Sequence, residues 1–173
     1  DAVHRLDLDT SGLIVVPRNR QSLAAVARLF QARAVEKEYR AVVWGKVEPD
    51  SGEIDLPIAR DWENRPRQKI CASTGKASLT RFEVLARGEN RTLLRLIPIT
   101  GRSHQLRIHL RELGHPILGC DMYAHPAALA AAPRLLLHAT RIVFEHPRGG
   151  AKIRAYTAPP FDLHGEISLT NHQ

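Results

Sequence analysis

The segment His4-Arg5-Leu6-Asp7-Leu8-Asp9-Thr10-Ser11-Gly12-Leu13 sets two carboxylates two residues apart, beside an arginine and ahead of a small-residue turn. Such polar density directly before an apolar run has two readings. The carboxylates form a site, or Asp7 or Asp9 caps the turn by accepting hydrogen bonds from the Thr10-Ser11-Gly12 backbone. One chemistry open to an Asp-Thr-Ser string is a proton shared between two carboxylates, with Asp50-Ser51-Gly52 as the second copy. Context argues against it, since Glu48-Pro49 is no apolar strand and the two regions show no repeat. Metal binding fails on spacing. His104, His109 and His115 are the densest of nine histidines, but residues five apart on a helix point about 140° from one another and no acidic or thiolate ligand completes the set. No metal is expected. Lys and Arg total 25 against 18 Asp and Glu, a net charge of +7, which favours an acidic partner, nucleic acid first.

The elements that must position these residues follow from periodicity. With 173 residues, 43% hydrophobic and 25% charged, and neither repeat nor linker, the chain suits one domain. Leu13-Ile14-Val15-Val16, closed by Pro17, predicts a short buried strand. Ser22 is the expected N-cap of a helix whose apolar face is Leu23, Val26, Ala27 and Phe30, with Arg28 and Arg33 turned away from that core. Alternation over Glu38 to Val47 predicts a strand with one face buried and one mixed. After the turn Pro49 to Gly52 comes a short strand over Glu53 to Ile58, then a basic loop from Asp61 to Lys69. Ser78 to Ala86 and Arg91 to Ile99 predict an antiparallel hairpin. Beyond Thr100-Gly101, Leu106, Leu110 and Leu113 share one helical face, with Gly114 and Pro116 as stop signals. Pro126 to Ala132 suits a short helix, Leu135 to Glu145 and Lys152 to Thr157 suit strands, and the polar end from Gly165 is expected to fray. The fold class is mixed α/β (α+β) and strand-dominated. Apolar runs fall far short of the roughly 20 residues that span a bilayer, so a soluble protein is expected. Two cysteines, Cys71 and Cys120, suit a reducing, cytoplasmic compartment.

The string from His4 to Gly12 closely resembles the H-R-L-D-x-x-T-S-G signature of the RluA family of pseudouridine synthases, which isomerise uridine in structured RNA. Glu38-Tyr39-Arg40-Ala41 and Ile99-Thr100-Gly101-Arg102-Ser103-His104-Gln105-Leu106-Arg107 resemble its next two motifs, in the expected order. The strings Asp61 to Lys69 and Pro133 to His138 look like the branch that modifies both a tRNA anticodon stem-loop and large-subunit (23S) ribosomal RNA. The likeness spans Val3 to about Phe161. It implies a catalytic domain over residues 1–161, a mainly antiparallel mixed sheet with flanking helices and an RNA-binding cleft, and a disordered tail over 162–173. Family members usually carry an upstream strand and loop, so an N-terminal segment is expected to be missing before Asp1.

The resemblance assigns Asp7 to the glycosidic bond, Tyr39 to stacking on the target base, and Arg107 to a guanidinium bridge that holds the Asp7 carboxylate ionised against desolvation. Asp9 is expected to be a local hydrogen-bond acceptor. Arg5, Arg60, Arg65, Arg67, Lys69, Arg102 and His104 are the expected RNA contacts. Isomerisation involves neither redox change nor net hydrolysis, so no cofactor is implied, and the absence of heptads makes a monomer the default. The alternatives are an RNA-binding or RNA-chaperone domain of the same fold without catalysis and, on the Asp-Thr-Ser string, an aspartic protease.

Overall fold

Lys37, Tyr39, Ala41 and Val43 alternate with Glu38, Arg40, Val42 and Trp44, and this period of two builds the central strand. The computed structural model describes residues 4–167. In chain order the elements are β1 (Ser11–Gly12), α1 (Arg20–Gln31), β2 (Glu36–Trp44), β3 (Ser51–Asp55), β4 (Ile58–Arg60), β5 (Gln68–Ile70), β6 (Leu79–Arg87), β7 (Arg91–Pro98), α2 (Gln105–Glu112), α3 (Pro126–Ala130), β8 (Leu137–Glu145), β9 (Lys152–Tyr156), β10 (Phe161–Asp162) and β11 (Gly165–Glu166). One seven-stranded sheet runs β1-β8-β2-β7-β6-β3, with β9 also on β8, and only the β1–β8 pairing is parallel. The mixed, mainly antiparallel sheet expected from sequence is therefore present.

Both faces of the sheet centre are covered. Ala41 and Val43 pack with Leu94, Leu96 and the α2 residues Leu106, Ile108 and Leu110. On the other face Val42 packs with Leu118, Leu136, Ala128 and Phe161. The third cluster joins Leu29 and Phe30 of α1 to Val35, Ile142 and Phe144. Fully burying such aliphatic side chains contributes roughly 1.5–3 kcal/mol each, which fixes the register of β2 between its neighbours.

Five local expectations are corrected. Leu13–Val16 is not a strand: only Ser11 and Gly12 pair with β8, and Ile14 and Val16 are 47% and 68% exposed. From Arg141 onward the same edge of β8 is taken by β9, so the chain must leave it. Helix α1 starts a turn earlier than expected, because Asn19 in extended conformation accepts from the Ser22 N–H at 2.9 Å. The strand expected over Glu53 to Ile58 divides into β3 and β4 around Pro57, which has no N–H for a ladder. The basic loop shortens to residues 61–67, since Gln68 and Lys69 pair with Arg60 and Ala59. The tail expected from 162 is ordered through a β10–β11 hairpin, anchored by the buried Phe161. The rest of it, 168–173, and the chain start before His4 lie outside the described residues.

Candidate active site

The turn that carries Asp7 is closed by backbone, not by a side chain: Thr10 N–H donates to the Asp7 carbonyl at 3.0 Å. Asp9 occupies the left-handed region at φ 73°, which Asp tolerates better than most residues. Its exposed carboxylate makes no hydrogen bond among the described residues, so the side-chain cap expected of it is absent. Asp7 is half-buried and faces a cavity of about 570 Å³.

The turn is pinned to β8 at its far end. Ser11 pairs with His138 and Gly12 with Ala139. A Cβ on Gly12, at φ 112°, would meet the Ala139 carbonyl at 2.2 Å, so only glycine fits. Burial lowers the His138 pKa, keeping the ring neutral. With Nε2–H donating to the Thr157 carbonyl at 3.1 Å, Nδ1 accepts from Ser11 Oγ at 2.8 Å, and that oxygen in turn accepts from Arg134 Nη2 at 2.7 Å. His4 Nε2 accepts from the Val15 N–H at 2.8 Å while its ring stacks on Phe30. The string from His4 to Gly12 is thus held at both ends, with Asp7 between.

Tyr39 lines the same cavity from β2. Burial and the nearby Asp7 charge push its pKa up to about 12, so the phenol stays neutral and offers a ring face and an O–H donor. The cavity's third wall is Pro98 to Ser103 with Gln105. Gln105 is buried and fixes that wall: Oε1 accepts from Thr100 Oγ1 at 2.6 Å and from the Arg102 N–H at 3.1 Å, while Nε2 donates to the Leu79 carbonyl at 2.9 Å.

Arg107 departs from expectation. It is 3% exposed in α2, and its guanidinium donates to Asp121 Oδ1 at 2.5 Å and to Cys120 Sγ at 3.2 Å rather than bridging to Asp7. The Ile117–Asp121 turn delivers both partners onto α2. Burial pulls the Arg107 pKa down, but Cys120, Asp121 and the more distant Asp7 outweigh it and the net shift is upward. Asp7 is therefore felt by Arg107 as a charge, as it is by Tyr39 and His104, without a direct bridge.

The seven expected RNA contacts separate into three groups. Arg5 and Arg102 line the cavity, Arg102 also donating to the Ala77 carbonyl. Arg60, Arg65, Arg67 and Lys69 lie exposed on the β4–β5 hairpin, where Arg60 and Arg65 stand over the Trp62 ring at 5.4 and 5.6 Å. His104 links the two. It caps α2 in the left-handed region, and its Nδ1 accepts from the Tyr123 hydroxyl at 2.5 Å, which accepts from the Gln68 N–H of β5 at 2.9 Å. Burial lowers its pKa against the opposing pull of Asp7.

Sequence reasoning missed Lys37, Arg33 and Thr10 in the cavity wall, and Tyr123 and Asp121 around Arg107. Lys37 was within reach, since two residues apart on a strand means the same face as Tyr39. Tyr123 and Asp121 carry no local signal. Among the described residues no group of three or more His, Cys, Asp or Glu side chains is placed to hold a metal, and no helix is long and apolar enough to cross a membrane.

Comparison with known proteins gives a consistent result. Residues 1–112 match the family model described as RNA pseudouridylate synthase. A relative from Vibrio cholerae named dual-specificity RNA pseudouridine synthase RluA is 53% identical over 146 residues, 84% of this chain. The chain spans 60% of that relative's length. The Pasteurella multocida protein of the same name is 51% identical over 161 residues, 92% of this chain and 73% of its own. Among solved structures, human RNA pseudouridylate synthase domain containing 1 superposes with a TM-score of 0.82 at 32% identity, covering 93% of this chain and 69% of that one.

Proposed function

The chain belongs to the RNA pseudouridylate synthase family, and from that premise we propose that it isomerises uridine to pseudouridine in structured RNA. The observation that carries this reading is Asp7, the one carboxylate among the described residues lining the 570 Å³ cavity, which also holds the neutral ring of Tyr39.

In this reading a uridine turns out of its stack into the cavity, at a cost of a few kcal/mol that is least in a distorted loop. Tyr39 receives the base on its ring face. The bond from C1′ to N1 breaks, the uracil rotates, C1′ bonds to C5, and the proton leaving C5 balances the one gained at N1. Asp7 supplies the anionic group at the glycosidic bond, by attack at C6 or C1′ or by removing a sugar proton. Arg107, fixed by Asp121 and Cys120, contributes positive potential toward Asp7 rather than a bridge. The raised phenol pKa suits Tyr39 to donating a hydrogen bond, not to serving as a base at neutral pH.

The substrates proposed are a tRNA anticodon stem-loop and large-subunit (23S) rRNA. The dual-specificity name of the bacterial relatives and the strings around Trp62 and Pro133 support that choice. The protein is proposed to act as a monomer in the cytoplasm, in keeping with Cys71 and Cys120 as free thiols. Arg5, Arg102 and His104, with Arg60, Arg65, Arg67 and Lys69 on the hairpin, are proposed to hold phosphates.

The test is pseudouridine mapping at single-nucleotide resolution on unmodified tRNA and a 23S rRNA fragment, with Asp7→Asn beside the wild type. Product at a loop uridine with the wild type alone, and equal RNA affinity for both proteins, is the expected result. Salt-sensitive binding without product from either protein would instead assign a non-catalytic RNA-binding domain.

A further inference from the structure

Lys37 lies two residues before Tyr39 on β2, so both side chains project from one face into the same cavity. Its ammonium has none of the partners that such a position ordinarily demands. Among the described residues no Asp or Glu oxygen lies within 4 Å of it and no hydrogen bond ends on it. Its surroundings are the Phe30 ring, whose centroid is 5.9 Å from Nζ, and the bare backbone of Gly101, where a Cβ would stand 3.2 Å from Nζ. Burial lowers the pKa, with no carboxylate near enough to raise it again.

Withdrawing an unpaired cation from water is costly, and Lys37 is half-buried in the cavity wall, where a ligand could complete it. The cavity wall narrows the choice of ligand. Among its described lining residues Arg5, Arg33, Lys37 and Arg102 stand against the single carboxylate of Asp7, so the complementary ligand is anionic. Uracil and ribose are neutral, which leaves the phosphodiester as the anionic part of a nucleotide.

We propose that the Lys37 ammonium binds a phosphate flanking the uridine whose base occupies the cavity, and so ties the RNA backbone to the face that carries Tyr39. The proposal rests on the RNA reading above and adds a subsite to it. Phe30 and Gly101 belong to this subsite as the surfaces that hold Nζ in place, and Lys37 is a binding residue, not a catalytic one.

The experiment compares wild type, Lys37→Gln and Lys37→Arg on an unmodified anticodon stem-loop, measuring KM, kcat and the dependence of RNA affinity on salt. A lost phosphate contact is expected to make the log–log salt slope shallower by about 0.7–0.9. KM for Lys37→Gln is expected to rise roughly tenfold with kcat within about twofold, and Lys37→Arg to recover most of the affinity. A neutral methylphosphonate at the flanking phosphate should weaken wild-type binding by the same factor and leave Lys37→Gln unaffected, a coupling that a merely structural lysine does not produce. The fall in wild-type binding registers a phosphate contact without any variant, and Lys37→Arg, which keeps the charge, carries the comparison if Lys37→Gln fails to fold. An unchanged salt slope, or equal losses from methylphosphonate in both proteins, overturns the proposal. Failure of the wild type to form any pseudouridine overturns the isomerase reading instead, and the salt slope still decides the role of Lys37.

Discussion

Arg107, buried in α2 outside the cavity lining, and Lys37, half-buried in the cavity wall, are two cations that the fold treats in opposite ways. Arg107 has a carboxylate and a sulfur within bonding distance and stacks over Tyr123 at 5.4 Å, and its pKa is raised. Lys37 has an aromatic ring and a glycine, and its pKa is lowered. A charge buried with its own partners is part of the scaffold, and a half-buried one without them is an open valence for a ligand. By that distinction the Arg107 end of the site is built before substrate arrives, and the Lys37 end is completed by it.

The largest effect should come from stripping the scaffold cation of its partner. Asp121→Ala leaves the Arg107 charge buried beside Cys120 alone, at an expected cost of about 2–3 kcal/mol, below the 3–5 typical of fully buried pairs because Asp121 is itself 59% exposed. Arg107→Met removes the charge instead and should cost less, about 1–2 kcal/mol, since Asp121 then returns to water. Urea unfolding of the two variants checks the order, and the reverse order breaks the comparison. Lys37→Met should behave differently again. Removing an unpartnered ammonium is expected to leave stability unchanged or raise it by up to about 1 kcal/mol. A loss above about 2 kcal/mol would mean that Lys37 has a structural partner after all.

Acid should expose the same division. His4, His104, His109 and His138 all have pKa values lowered from 6.5, chiefly by burial. As pH falls through about 6.5 the unfolded chain takes up protons that the native histidines resist, so their contribution is present above that pH and lost below it. Denaturation midpoints measured at pH 7.5 and 5.5 should therefore fall. His109 gives the sharpest check. It is fully buried between Thr80 Oγ1 at 2.8 Å and the Leu56 carbonyl at 2.9 Å, so His109→Gln should lower stability at pH 7.5 and flatten the decline.

What could be read from sequence divides along similar lines. The sheet centre was legible because β2 and the β6–β7 hairpin carry a period of two and a turn in the chain itself. Asp7, Tyr39 and Arg107 were legible as members of motifs, but the partner of Arg107 was not, because Asp121 reaches it only through the Ile117–Asp121 turn. Leu13–Val16 misled for a comparable reason. Its apolar content suits a strand, yet whether it pairs is decided by β9, far along the chain, which occupies the edge of β8 from Arg141 onward. Period and motif report what a segment can do, and competition for edges and charges is settled only in the folded chain.

The smallest effect belongs to the β4–β5 hairpin, where cations have neither scaffold partners nor burial. Arg65 is exposed and stands 5.6 Å over Trp62, itself 61% exposed. An exposed cation–π contact contributes about 0.5–1 kcal/mol at most, so Arg65→Ala should leave the unfolding midpoint within error. If the hairpin meets RNA, the same variant makes the salt slope of binding shallower by about 0.7–0.9 with kcat unchanged. This resembles the Lys37 effect in salt dependence but differs in its coupling. A methylphosphonate beside the target uridine should weaken Arg65→Ala as much as wild type, because the hairpin would contact backbone away from the cavity. Loss of that additivity would place Arg65 and Lys37 on one phosphate and erase the distinction between the cavity and the hairpin.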